Sequence, residues 1–188
     1  MDKQKYTEIK SELIEFYNGF DFQITFTGTF KQVLSHQCRN GFPIREFLTI
    51  EEAVRNVNRF LNSVSRKVFG PAQAKKGRMI WAVGYVEGYS RASVTGRERI
   101  HAHLLLGGFP TNSFDFENPM DLYRLESLLR EEWQKSNWGW EQVEVRLLAP
   151  EGFNTDLPME SRNRWQEYIH KHFNPEQSER IIMRLPKR

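Results

Sequence analysis

The chain has 188 residues, 39% hydrophobic and 27% charged, which is one domain's worth of sequence and too apolar for a globally disordered chain. Its single cysteine, Cys38, excludes an intramolecular disulfide and any zinc site needing two thiolates from one chain; the apolar runs are only a few residues, and Met1-Asp2-Lys3-Gln4-Lys5 has no apolar stretch behind it, so neither a membrane span nor a secretory signal is expected and a reducing, cytoplasmic setting fits. Net charge is +3 with a pI near 9.0, but residues 71–101 hold six Lys/Arg against two Glu, a local excess that hints at nucleic acid.

Residues 3–18 carry helical spacing (Ile9, Leu13, Phe16, Tyr17) that ends at Asn18-Gly19. Phe22–Phe30 then alternates strictly, with Phe22, Ile24, Phe26 and Phe30 on one side and Gln23, Thr25, Thr27 and Thr29 on the other, predicting a strand with one core face. Residues 31–47 read as irregular. Thr49 and Glu52 form a capping box for a helix burying Val54, Val57, Leu61, Val64 and Val68, which Gly70-Pro71 stops. A basic loop (Lys75, Lys76, Arg78) leads into Met79–Val86, apolar on both faces and so read as a central strand. After a loop over Gly88–Arg99, Ile100–Leu106 reads as its antiparallel partner. Asn118-Pro119 caps a helix with Leu122, Leu125, Leu128, Leu129 and Trp133, and Val143, Val145 and Leu147 alternate as a further strand. Pro158–Phe173 is expected to be a last helix stopped at Asn174-Pro175, and Ile181–Met183 an edge strand. No repeat or interdomain linker interrupts residues 1–188. The order predicts a single α+β domain, a split β-α-β-β-α-β antiparallel sheet flanked by helices.

His101-Ala102-His103 is the most informative triplet, because a strand puts both imidazoles on one face, about 6 to 7 Å apart along the chain. Both can meet one divalent ion. Glu87, at the end of the facing strand, is the nearest carboxylate to supply a third, harder ligand, and two nitrogens plus one carboxylate leave coordination positions open for catalysis. Glu98 competes for that role, although Arg97-Glu98-Arg99 reads more simply as a solvated loop. His170-Lys171-His172 has the same spacing, but in a helical segment its histidines point to different sides. There Trp165, Ile169 and Phe173 form the apolar stripe, leaving Arg164, Tyr168 and Lys171 on an adjoining polar face. A phenol beside a cation and a metal-polarised phosphate can attack phosphorus.

These residues together resemble the HUH endonucleases, and within them the single-tyrosine rolling-circle replication initiators. Ile24–Phe30 is similar to the first strand motif, His101-Ala102-His103 to the His-hydrophobe-His metal motif and Tyr168-Ile169-His170-Lys171 to the Tyr-x-x-Lys helix motif, in the family's order over residues 20–175. The resemblance implies a nickase of single-stranded DNA. Tyr168 would become linked to the 5′ phosphate, His101, His103 and an acidic residue would hold Mg2+ or Mn2+, and Lys171 would orient the metal site or stabilise charge. It implies single-stranded or hairpin origin DNA of a plasmid or virus as partner, with host helicase and polymerase, since the chain has no Walker motif. Lys171, where similar transposases carry glutamine, favours replication over transposition, and a relaxase's third metal-motif histidine is absent. Lys75, Lys76, Arg78, Tyr89, Arg91, Arg97, Arg99 and Arg164 are the candidate DNA-binding residues, each weighed against a merely solvated basic loop. Trp138 and Trp140 read as core or edge packing. The competing class is a non-catalytic nucleic-acid-binding module of the RNA-recognition type, which shares this strand and helix order.

Overall fold

The computed structural model describes residues 19–37, 43–88, 99–149, 159–161 and 179–186, together with Glu8, Glu12 and Glu15, which are helical. Alternation makes Phe22–Phe30 strand β1, with Ile24, Phe26 and Phe30 buried on one face and the threonines on the other. Helix α1, Ile50–Phe69, begins at the expected capping box: the Thr49 hydroxyl accepts from the Glu52 amide at 3.2 Å and the Glu52 carboxylate accepts from the Thr49 amide at 3.1 Å. It buries Ala53, Val57, Phe60, Leu61 and Val64, with Val54 and Val68 packed at the edge. Strands β4 (Trp81–Glu87) and β5 (His101–Gly107) are the expected antiparallel pair. A second long helix, Pro119–Lys135, is capped by the Asn118 side chain, which accepts from the Met120 amide at 3.0 Å. Strand β6, Gly139–Ala149, follows it.

Four expectations need correction. Phe22 does not share the face of Ile24, Phe26 and Phe30: the β1–β5 register shifts between Phe22 and Ile24, and Phe22 packs with Val83 and Leu105 on the other side of the sheet. Residues 31–47 are not irregular: β2 (Val33–Gln37) and β3 (Pro43–Phe47) form an antiparallel hairpin, too short and polar for its pattern to stand out. The loop after Gly70 begins with a short helix, α2, over Pro71–Lys75, so the long helix at Pro119–Lys135 is α3. The last helix does not begin at Pro158, because Met159–Ser161 is strand β7, which pairs in parallel with Leu147–Ala149 of β6. The rest of that helix, with Tyr168, and most of the helix expected over residues 3–18 lie outside the described residues. The expected edge strand is present as β8, Ile181–Arg184.

The sheet runs β7-β6-β1-β5-β4-β8, antiparallel except for the β6–β7 pair. Its inner order, β6-β1-β5-β4, is that of a split β-α-β-β-α-β unit, with α1 and α3 as the two helical connections. Both helices pack on the same sheet face, where Phe26, Phe30, Phe60 and Trp133 meet with ring centroids 4.8 to 5.3 Å apart. Trp133 is fully buried, and its indole N–H donates to the Thr29 carbonyl at 3.0 Å, where the β1–β6 register shifts. Truncating it to alanine costs about 3–5 kcal/mol. The opposite face divides in two. Near its Trp81 end, Phe20, Phe22, Val83, Leu105 and Leu148 make a small apolar cluster, and at its Glu87 end the side chains are polar. Among the described residues no helix is long and apolar enough to cross a membrane.

Candidate metal centre

The polar end is built by strand register. Pairing of β4 with β5 sets Glu87 opposite His101 and Tyr85 opposite His103, while pairing of β1 with β5 sets Thr27 opposite His103 and Thr29 opposite His101. The register needs close approach at Gly84, where a Cβ would collide with the His103 carbonyl oxygen. Gly88 turns the chain away immediately after Glu87 at φ 105°, a conformation that glycine adopts without strain. Gln32 clamps the entry to β5: its side-chain carbonyl accepts from the Ile100 amide at 3.0 Å and its side-chain amide donates to the Phe30 carbonyl at 2.8 Å.

Glu87 Oε2 lies 3.2 Å from His101 Nε2 and 3.4 Å from His103 Nε2, and one ligand atom from each of the three residues falls within 4.8 Å of the others. Around a small divalent cation with ligand bonds of about 2.1 Å, neighbouring ligand atoms sit about 3 Å apart, so the two carboxylate–imidazole separations already match. The side chains are 27%, 30% and 13% exposed for Glu87, His101 and His103, leaving an approach from solvent. Each imidazole is held through its other nitrogen: His101 Nδ1 is 2.7 Å from the Arg99 carbonyl, and His103 Nδ1 is 3.1 Å from Thr27 Oγ1. With Nδ1 engaged, both Nε2 atoms turn toward Glu87, the orientation that a metal-binding histidine requires. The cluster can therefore hold a metal ion. The hydrogen bond with Glu87 raises the His101 pKa above its ordinary value against the opposing pull of burial, and the Arg99 carbonyl adds to the rise.

Glu87, His101 and His103, predicted from the hairpin and the His-x-His spacing, are brought together. Two supporting groups escape a reading of the sequence: Thr27, 76 positions from its histidine, and Arg180, whose guanidinium donates to the Gly88 carbonyl at 2.9 Å from 92 positions away. Arg180 also faces Tyr85, whose phenol is raised by burial and partly drawn back by that arginine. The basic candidates separate into two places. Lys75, Lys76 and Arg78 line a cleft with Trp81 and Pro186, at the other end of β4 from Glu87 and about 20 Å away by strand rise. Arg99, by contrast, stands two residues before His101. Tyr89, Arg91, Arg97 and Glu98 in the loop, and Arg164, Tyr168 and Lys171, lie outside the described residues. Of the two tryptophans assigned to packing, Trp138 is buried, whereas Trp140 is half-exposed beneath the Arg99 guanidinium. Comparison of the chain with models of protein families, with curated proteins and with solved structures finds no match in any of the three.

Proposed function

We propose that this protein is a metal-dependent nickase and strand transferase of single-stranded DNA that initiates rolling-circle replication of a plasmid or virus, with Tyr168 as nucleophile. The observation that carries the reading is the triad on the sheet face away from the two helices: a carboxylate and two imidazoles converge, and both rings are pre-oriented by Arg99 and Thr27. Two nitrogens and one oxygen suit Mn2+ or Mg2+ with positions left for phosphate oxygens, and a divalent cation bound there would polarise the scissile phosphate. The Tyr168 phenol attacks phosphorus. Its oxygen bonds to the 5′ phosphate as the bond to the 3′ oxygen breaks; the phenolic proton is lost and the 3′ oxygen leaves as a hydroxyl. Lys171, three residues along the same predicted helix face, offsets the charge that builds on the phosphate. The released hydroxyl primes a host polymerase, with strand separation left to a host helicase or a preformed hairpin, in the cytoplasm or another host interior.

A binding module of the RNA-recognition type is less favoured. Such modules stack bases on exposed aromatics of the two central strands, whereas on the face away from the two helices β1 and β5 carry Thr25, Thr27, Thr29, His101 and His103 at the metal-centre end, and the aromatic on that side, Phe22, is buried in the apolar cluster. The test is incubation of wild type and Tyr168→Phe with a pool of single-stranded DNA that includes hairpins, in Mn2+ or in chelator, with covalent adduct scored on a denaturing gel. The reading expects adduct for wild type in metal alone. DNA binding with no adduct anywhere in the pool replaces it with the binding module.

A further inference from the structure

The segment entering β5 does two jobs with one residue. The backbone carbonyl of Arg99 orients His101, while its side chain lies over the Trp140 indole with the guanidinium carbon 4.6 Å from the ring centroid. Arg99 itself is an exposed residue. Trp140 follows Gly139, the partner of Phe30 at the metal-centre end of β1, and among the described residues β7 covers the edge of β6 only at Leu147–Ala149. Nothing described in the sheet lies beyond Trp140 on that side. A guanidinium is planar and permanently charged; seated on an indole, it loses little further freedom when a second flat group settles on it.

We infer that Arg99, backed by Trp140, is the stacking platform for the base of a nucleotide beside the metal centre, a subsite for single-stranded DNA that rests on the nickase reading above. The base lies on the outer face of the guanidinium, and the N–H groups at its rim reach the adjoining phosphate. Planarity as well as charge is therefore required, which separates this role from that of a solvated basic residue.

Binding of a fluorescent mixed-sequence single-stranded oligonucleotide is measured in chelator, so that cleavage plays no part, for wild type, Arg99→Lys, Arg99→Ala, Trp140→Phe and Trp140→Ala. Loss of one base–platform stack is expected to weaken binding about ten-fold in Arg99→Ala, Arg99→Lys and Trp140→Ala, with Trp140→Phe retaining most of it. Mn2+ affinity, which depends on the Arg99 carbonyl rather than its side chain, should remain that of wild type in both Arg99 variants. Arg99→Lys binding as tightly as wild type would reduce Arg99 to a point charge and overturn the platform, as would the absence of any DNA binding. The two readings fail separately: metal-dependent adduct with unchanged binding in all four variants removes the platform and leaves the nickase. Weakened binding in the variants with no adduct on any DNA leaves the platform in a protein that only binds.

Discussion

Two glutamates of this fold, Glu132 and Glu87, sit among partners that differ in what they can give up. Glu132, buried between α1 and α3, takes Lys135 Nζ at 2.8 Å and the Ser63 hydroxyl. Burial pushes its carboxyl up, yet the hydrogen bonds from Lys135 and Ser63 hold it below its ordinary value. A cation from its own helix and a hydroxyl from α1 satisfy it, and the Ser63 contact ties one helix to the other. Glu87 shares a single oxygen between two imidazoles at the solvent edge. Imidazoles can exchange a proton for a metal ion, so a carboxylate makes a structural link in one place and a binding centre in the other.

The sharpest way to break that contrast is to remove ligands. Glu87→Gln, His101→Ala and His103→Ala should each lower the rate of metal-dependent adduct formation at least about 100-fold, with melting of the metal-free protein shifted by only a few degrees. A large stability loss with unchanged adduct would reverse the assignment. Glu132→Ala should do the opposite, lowering stability in chemical denaturation by about 1–3 kcal/mol by removing the acceptor that joins Ser63 of α1 to α3 and holds Lys135, with Mn2+ affinity unaltered. Thr27→Val, which keeps the shape and deletes the hydroxyl that orients His103, should weaken Mn2+ binding about ten-fold, as read by calorimetry.

The two clusters should also titrate in opposite senses. Glu132 is depressed in the fold, so its contribution to stability is complete above the pH at which an unfolded glutamate titrates and fades as pH falls through the folded value. His101 is raised, so its contribution in the metal-free protein is complete below the ordinary imidazole pKa and fades as pH rises through the folded value. Metal must displace that proton, and Mn2+ affinity should therefore climb with pH across the His101 titration. Melting curves of wild type, His101→Ala and Glu132→Gln from acidic to mildly alkaline pH check both signs; a His101→Ala curve parallel to wild type through the imidazole range contradicts the coupling to Glu87.

What the sequence made readable was whatever local periodicity controls. Ile24–Phe30 and the α1 and α3 stripes show their buried faces as spacing, and Thr49/Glu52 and Asn118 mark helix starts through short-range hydrogen bonds. His101 and His103 share a face because they are two apart on a strand, and the hairpin brings Glu87 opposite. The β2–β3 hairpin escaped because five-residue strands of mixed polarity carry little periodic signal, and β7 because its pairing is set by the open edge of β6 rather than by its own three residues. Thr27, Arg180 and the Arg99–Trp140 stack escaped for a different reason: each depends on register between segments far apart in the chain.

The most direct test of the metal centre is a Mn2+ titration of the whole chain, followed by the paramagnetic resonance of the free ion, for wild type, Glu87→Gln and Glu132→Gln. The triad predicts one tight Mn2+ per chain in wild type and in Glu132→Gln, and its loss in Glu87→Gln. Wild type that takes up no Mn2+, or Glu87→Gln that binds it as tightly, would contradict the account.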